Sequence, residues 1–334
     1  MLESGSGELE PLPLVSAVIP TRNRPQLILR AVGSVLRQTY KNIEIIVVID
    51  GSDPATEESL STVKDLRLRV IALKESVGGS EARNWGVRES HGKWIALLDD
   101  DDEWREDKIA RQLETAECAE NPYVMVFSKM TVKFPNSEVV WPRRLPHANE
   151  PISDYLFTRK GLSFGDGFLQ TSSFFASRTM FDEVPFRKGL KRFQDTDWLL
   201  RAGAHPRARI EVIAEPLVTY YMDSQQAVSR KPDWEYLYNW AQENRPLFTR
   251  RAYSFFLATV CVPRAAKQRE PIRVFLKLLK ECAFSGSPTF NCLVICFNLW
   301  FIPDTLRQNL RESFSKWKSL VSGFRRPRAL SEIN

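Results

Sequence analysis

The sequence predicts an α/β protein in which a mostly parallel sheet flanked by helices is followed by a mainly helical C-terminal region. Three observations predict it. From about residue 15, short β-branched apolar runs alternate with amphipathic stretches, the pattern of strand and helix units wound into one sheet. Each apolar run empties into a polar loop, and one of these, "WIALLDDDDEW" over residues 94–104, ends in four consecutive aspartates. Beyond residue 222 the short runs give way to helical spacing.

The strands expected in order are Val15–Ile19, Ile43–Ile49, Leu68–Leu73 and Trp94–Leu98, each an apolar run short enough for a buried strand. Between them, helices are expected over Pro25–Gln38, Ala55–Leu66 and Gly79–His91, with Pro25 suited to a first helical turn. This makes a Rossmann-like half of about a hundred residues, in which ligands bind beyond the carboxyl ends of the strands. The loops "PTRNR", "DGSD", "SVGGSEARN" and "DDDDEW" all gather there. A helix is expected over Glu106–Ala119, then strand-like "YVMVFSKMTVKF", then a Pro-rich "VVWPRRLPHANEP" read as a long loop over the site. "FLQTSSFFA" over residues 168–176 reads as a strand, residues 195–204 as a short helix, and "RIEVIAEPLVTYY" as one or two final strands.

Composition excludes several classes. The chain has 334 residues, 43% hydrophobic, enough for a full core. Cys118, Cys261, Cys282, Cys292 and Cys296 are scattered without CxxC spacing, which points to a reducing compartment and not to a zinc site or a disulfide framework. His91, His147 and His205 stand outside any HExxH or nucleophile motif. Neither a GxxxxGK(S/T) loop nor a GxGxxG fingerprint occurs, so kinase and dehydrogenase readings fall away. Residues 1–13 are acidic and contain Gly, Ser and Pro; a disordered tail and a cytoplasmic location are expected.

Net charge is +6, but residues 250–334 carry 15 Lys/Arg against 5 Asp/Glu, or +10, leaving −4 for residues 1–249. The apolar run 290–302 is too short to span a bilayer. Past Pro303, Leu306, Leu310, Phe314, Trp317 and Val321 recur at helical spacing among Arg307, Arg311, Lys316 and Lys318. That basic amphipathic segment suits either packing on its own domain or an anionic membrane surface, with peripheral association through residues 290–321. Nucleic acid is not an expected partner, since the aromatic and basic interleaving of a single-strand platform is missing.

Five motifs in order resemble the family 2 glycosyltransferases, which have the GT-A fold. "VSAVIPTRNRPQLILRAVGSVLRQTY" is similar to the family's opening strand and helix. "IIVVIDGS" resembles its "VVDDGS", "GGSEARNWGV" its "G(x)xxARNxG", "IALLDDDDEW" its "FLDxDDxW", and "FQDTDWLLRA" its "(E/Q)DxDLxLR". The resemblance covers about residues 14–220. It implies a catalytic domain over 14–222, with a nucleotide-sugar half (14–104), an acceptor half (105–222) and a separate helical region (223–334).

The activity it implies is a metal-dependent, inverting transfer from a nucleoside-diphosphate sugar, UDP-linked, to a hydroxyl of a glycan or lipid-linked acceptor in cell-surface polysaccharide synthesis. A leaving diphosphate calls for a hard divalent cation, Mn²⁺ or Mg²⁺, held by few carboxylates. Alignment to the motif puts Asp99 and Asp101 at the ends of the DxD, with Asp101 the metal ligand and Asp99 at the ribose or a metal-bound water. Asp100, the middle position among the donor-side residues, is expected to face solvent, and Asp102 to cap the next helix. A solvated loop is the plain reading of the run alone. An EF-hand fails, because counting from Asp99 puts Trp104 where Gly is required and Ala110 where Glu is required.

Asp50 is expected to accept the imide N–H of a uracil-type base, or else simply to open the "DGSD" turn; the family's usual first aspartate is Ile49 here. Pro20, Thr21 and Arg22 are expected to wall the same pocket. Arg83 and Asn84 are expected at the donor, with Arg83 alternatively holding neighbouring carboxylates. Asp195, following Gln194, corresponds to the family's catalytic base, and Asp197 to an acceptor contact or a first-turn cap. Two alternatives are an inactive GT-A glycan-binding or scaffold protein, and a sugar nucleotidyltransferase, which would need a Gly-rich loop where this chain has "IPTRNRP".

Overall fold

Strand β1, Val15–Thr21, is buried along nearly its whole length, and the same holds for β2, Ile43–Ile49, and β4, Trp94–Leu97. Strands covered on both faces read as continuous apolar runs, which is why all three were visible without alternation. The computed structural model describes residues 12–161, 166–222, 233–303 and 306–307. With β3, Leu68–Ala72, these strands form a parallel set in the order β3-β2-β1-β4. The expected strands thus stand, each to within two residues at its ends.

The helices between them are shorter than expected. Helix α1 covers Pro25–Leu36, α2 Pro54–Ser61 and α3 Gly79–Glu89. Helix α1 buries Ile28, Ala31, Val32 and Val35, one face at helical spacing. Asp53 caps α2 by accepting the Thr56 N–H at 3.2 Å. Helix α3 presses on the sheet through Gly86, where a Cβ would lie 2.2 Å from Val18 Cγ1, so only glycine allows the approach.

After β5 (Glu103–Trp104) come α4 (Lys108–Cys118), β6 (Val124–Phe134) and β7 (Ser137–Trp141). They are followed by α5 (Ile152–Phe157), β8 (Phe175–Ser177), α6 (Arg178–Glu183), α7 (Gln194–Gly203) and β9 (Arg209–Tyr221). The described residues form one sheet of nine strands in the order β3-β2-β1-β4-β8-β6-β9-β5, with β7 on β6. Strand β8 runs antiparallel to β4, ending the parallel set. Two expectations change here. The stretch 168–176 is not one strand: Thr171–Ser173 form a 3₁₀ turn before a three-residue β8. The Pro-rich loop is shorter than expected, since Val139–Trp141 belong to β7, and it is followed at once by α5 over residues 152–157.

The chain divides into two compact units. Among the described residues the first comprises 12–158, 166–222 and 246–249, and holds the sheet. The second comprises 159–161, 233–245, 250–303 and 306–307. It contains α8 (Trp234–Glu243), α9 (Arg250–Phe256), α10 (Val262–Lys267), α11 (Ile272–Phe284) and α12 (Phe290–Phe301), with a π-helical turn over Leu257–Cys261. Cys261, Cys282, Cys292 and Cys296 are buried in it as free thiols. Among the described residues no helix is long and apolar enough to cross a membrane. The basic amphipathic stretch beyond Leu306 and Arg307 lies outside the described residues, as do residues 1–11.

Candidate active site

The four aspartates follow β4 at the carboxyl end of the parallel set, and each has a different environment. Asp99 accepts from Arg83 Nη2 at 2.5 Å and from Gln170 Nε2 at 2.8 Å. Asp100 accepts from Thr21 Oγ1 and Arg24 Nη1, both at 2.7 Å. Asp101 takes a longer contact from the same Arg24 nitrogen, 3.0 Å, and its backbone carbonyl accepts from Arg30 Nη2 at 2.5 Å. Asp102 accepts from Ser172 Oγ at 2.6 Å, Gln170 Nε2 at 3.1 Å and the Tyr221 N–H at 3.3 Å.

Two expectations are corrected by this arrangement. Asp100 does not face solvent; it is 5% exposed, because Thr21 and Arg24 from the loop after β1 close over it. Asp102 does not cap the next helix, which begins at Lys108 behind Asp107; it is fully buried under the 3₁₀ turn. The solvated-loop reading of the run falls with them.

Burial raises the proton affinity of Asp100, with Arg24 and the Thr21 hydroxyl opposing it. Asp101 is pushed up to about 6, by burial first and then by the charges of Asp99 and Asp100. Asp102 is raised well above the carboxylate range by burial and by Asp101 and Asp99.

The segment is anchored from α1 and the turn after it as well. Ser34 Oγ accepts the Trp104 N–H at 3.1 Å, while Gln38 donates to the Arg105 carbonyl at 2.8 Å and accepts the Ile109 N–H at 3.0 Å. Ser34 and Gln38 are both fully buried, which gives the "SVLRQTY" motif a physical reason: its two polar side chains hold the aspartate-bearing segment in place. Gln170, Ser172, Arg24, Ser34 and Gln38 were not singled out from sequence. The polar "QTSS" inside an otherwise apolar run was the available signal for two of them.

Arg83 joins two motifs. Besides Asp99, its guanidinium donates to Gln194 Oε1 at 2.8 Å, at the start of α7. Gly79 makes room for this link, since a Cβ there would sit 2.9 Å from Gln194 Oε1 and 3.2 Å from Arg83 Nη1. Asp195, next to Gln194, lies in the first turn of α7 and accepts the Thr196 N–H at 2.7 Å. Burial raises its proton affinity, Asp99 adds to the shift, and the Thr196 N–H and Arg83 oppose it.

The other expected donor residues also make contacts within the fold. The Asn84 carboxamide donates to the Phe186 carbonyl at 2.8 Å and accepts the Phe186 N–H at 2.9 Å. Both ends of the amide are thereby used in tying α3 to the segment before α7. Asp50, expected to meet a base, holds the loop ahead of α3, accepting from the Val77 N–H at 2.6 Å, the Ser76 hydroxyl at 2.9 Å and the Gly78 N–H at 3.0 Å. Arg22 donates to the same Ser76 hydroxyl at 2.6 Å, and Pro20 lies in β1 opposite Val48. Asp197 is fully buried and pairs with Arg201 at 2.8 Å and Arg187 at 3.2 Å.

Three carboxylates, Asp99, Asp100 and Asp101, therefore share two guanidiniums, Arg24 and Arg83. Among the described residues no group of three or more His, Cys, Asp or Glu side chains is placed to hold an ion alone. The donor set nonetheless suits a hard divalent cation of the kind that takes one or two carboxylates and completes its shell with waters and substrate phosphates. Asp101, with its single long guanidinium contact and its excess of negative neighbours, fits that role best.

The family model described as "Glycosyl transferase family 2" matches residues 16–184, just over half of the chain. The protein belongs to that family. Among curated relatives, this glycosyltransferase is 29% identical over 245 residues to the amylovoran biosynthesis glycosyltransferase AmsB of Erwinia amylovora, covering 71% of this chain and 79% of AmsB. It is 33% identical over 156 residues to the UDP-Glc:alpha-D-GlcNAc-diphosphoundecaprenol beta-1,3-glucosyltransferase WfaP of Escherichia coli, covering 45% of this chain but 62% of WfaP. Among solved structures, S. aureus TarS 1-349 in complex with UDP-GlcNAc superposes with a TM-score of 0.57 at 16% identity, covering 90% of this chain and 92% of that one. The glycosyltransferase thus has the GT-A type of fold that its motifs imply, and the nucleotidyltransferase and scaffold alternatives are set aside.

Proposed function

We propose that this glycosyltransferase moves a sugar from a UDP-linked donor to a hydroxyl of a lipid-linked glycan, with inversion, in the synthesis of a cell-surface polysaccharide. The observation that carries the reading is the Arg83 link. One guanidinium ties Asp99, in the DxD run, to Gln194, whose neighbour Asp195 is the candidate base. Donor-side and acceptor-side carboxylates thus share one site at the strand ends. The names of AmsB and WfaP support the polysaccharide and lipid-linked acceptor, and WfaP and the TarS complex support a UDP-sugar.

In this reading Asp101, with Asp99 beside it, holds Mn²⁺ or Mg²⁺, which when bound neutralises charge on the departing diphosphate. Asp195 takes the proton of the attacking hydroxyl. Its raised proton affinity suits that task, since a base works best with a pKa near the operating pH. A single displacement with one base converts an α-linked donor into a β-linked product.

Peripheral contact with an anionic membrane fits the same reading. In the second unit Phe284, Phe290 and Phe301 are exposed, at 74%, 80% and 56%; Lys280 lies over the Phe284 ring at 5.8 Å, and Arg273 and Lys277 of α11 are exposed as well.

The test is nucleotide release across a panel of UDP- and GDP-sugars, with Mn²⁺ and with chelator, on wild type and Asp101→Ala. Release from one UDP-sugar that needs the metal and disappears in the variant is expected. Release indifferent to both would overturn the metal assignment.

A further inference from the structure

Beside the carboxylates lies a strip of aromatic side chains that no step above uses. Trp141 ends β7, Phe168 precedes the 3₁₀ turn, and Tyr220 lies in β9. The Trp141 and Phe168 rings meet edge to face at 6.0 Å, and Phe168 and Tyr220 are tilted at 6.5 Å. Each ring packs against the core and is only partly buried. Arg143, exposed, stacks over Trp141 at 5.0 Å and marks the outer end of the strip.

The inner end reaches the site. Two residues after Phe168, Gln170 donates to Asp99 and Asp102, and the N–H that follows Tyr220 in the chain, that of Tyr221, donates to Asp102. After burial, the charges acting on the Tyr220 hydroxyl are those of Asp102, Asp99, Asp101 and Asp195. Hydrophobic packing alone does not call for a phenol among four carboxylates. A pyranose presents an apolar face of C–H groups that the negative face of an aromatic ring attracts, while its hydroxyls turn to polar neighbours.

The geometry points to Trp141, Phe168 and Tyr220 as the stacking wall of an acceptor subsite that takes a pyranose ring and leads its hydroxyl toward Asp195. The inference rests on the transferase reading. It adds residues that no family motif contains.

The test uses the full chain with UDP and Mn²⁺, and α-D-GlcNAc-diphosphofarnesol as the acceptor probe, observed by saturation-transfer NMR. Sugar C–H protons of the probe should receive saturation in wild type. In Trp141→Leu and Phe168→Leu, which keep apolar volume but lose the ring, that signal should fall at least about fivefold, with UDP affinity within about twofold. Undiminished saturation in both variants, or none in wild type, overturns the subsite. Wild type that binds UDP with Mn²⁺ but fails this way leaves the transferase reading standing, whereas no metal-dependent UDP binding overturns that reading itself.

Discussion

Asp101 is held at a cost while no cation is bound. Its folded-state pKa of about 6 lies above the ordinary 3.8, so the folded chain binds this proton more tightly than the unfolded chain does. The sign follows: the ionised group destabilises the fold above pH 6, and the penalty fades as pH falls from 6 toward 4. Asp101→Asn should therefore raise the stability of the metal-free protein at about pH 7.5 by at most ~3 kcal/mol, with no gain left near pH 4. Urea unfolding at several pH values in chelator reads this directly, and a variant equally or less stable at neutral pH contradicts it. Asp100 makes a second case. Removing it by Asp100→Ala leaves Arg24 with Asp101 alone, so Mn²⁺ affinity in the presence of UDP should drop about 10- to 100-fold. Calorimetric titration giving wild-type affinity would restore the view of Asp100 as a bystander.

At the scale of elements, α3 works as an arm between the donor and acceptor halves. Its first turn carries Gly79, which leaves room for the contact between Arg83 and Gln194. Gly79→Ala should spare the fold, because the added Cβ meets only the tips of two flexible side chains. It should shift Gln194 and its neighbour Asp195, lowering kcat about 10- to 100-fold with donor KM little changed. Unaltered kcat would mean that the link is ornamental. Strands β1, β2 and β4 were legible because burial on both faces leaves an unbroken apolar run. The 3₁₀ turn was not: "FLQTSSFFA" has the hydropathy of a strand, and only the partners of Gln170 and Ser172, some seventy positions upstream, explain its polar centre. For the same reason motif spacing marked Asp99, Asp101 and Asp195 for one site but misjudged the burial of Asp100 and Asp102, whose settings depend on contacts remote in sequence.

For the whole molecule the division of charge matters more than its sum. Residues 250–334 carry +10 against −4 elsewhere, and on the proposed membrane reading it is this basic segment that meets anionic lipid. Full-length protein should sediment with phosphatidylglycerol vesicles at low salt and be released at about 1 M salt, where the screening length is ~3 Å. Arg273→Glu with Lys280→Glu should weaken that binding; indifference to both salt and charge reversal would remove the electrostatic part of the proposal. The charge split was plain from composition, but the exposure of Phe284 and Phe290 required the fold. The environment of Asp102 carries a consequence for biosynthesis. Its partners Gln170, Ser172 and Tyr221 follow it by 68, 70 and 119 positions. A ribosome that has released only residues up to Trp104 has made Arg24 and Arg83 to meet Asp99, Asp100 and Asp101, but none of the groups that donate to Asp102. A fragment cut after Trp104 would therefore keep the first four motifs yet lose the groups that let its last aspartate be buried.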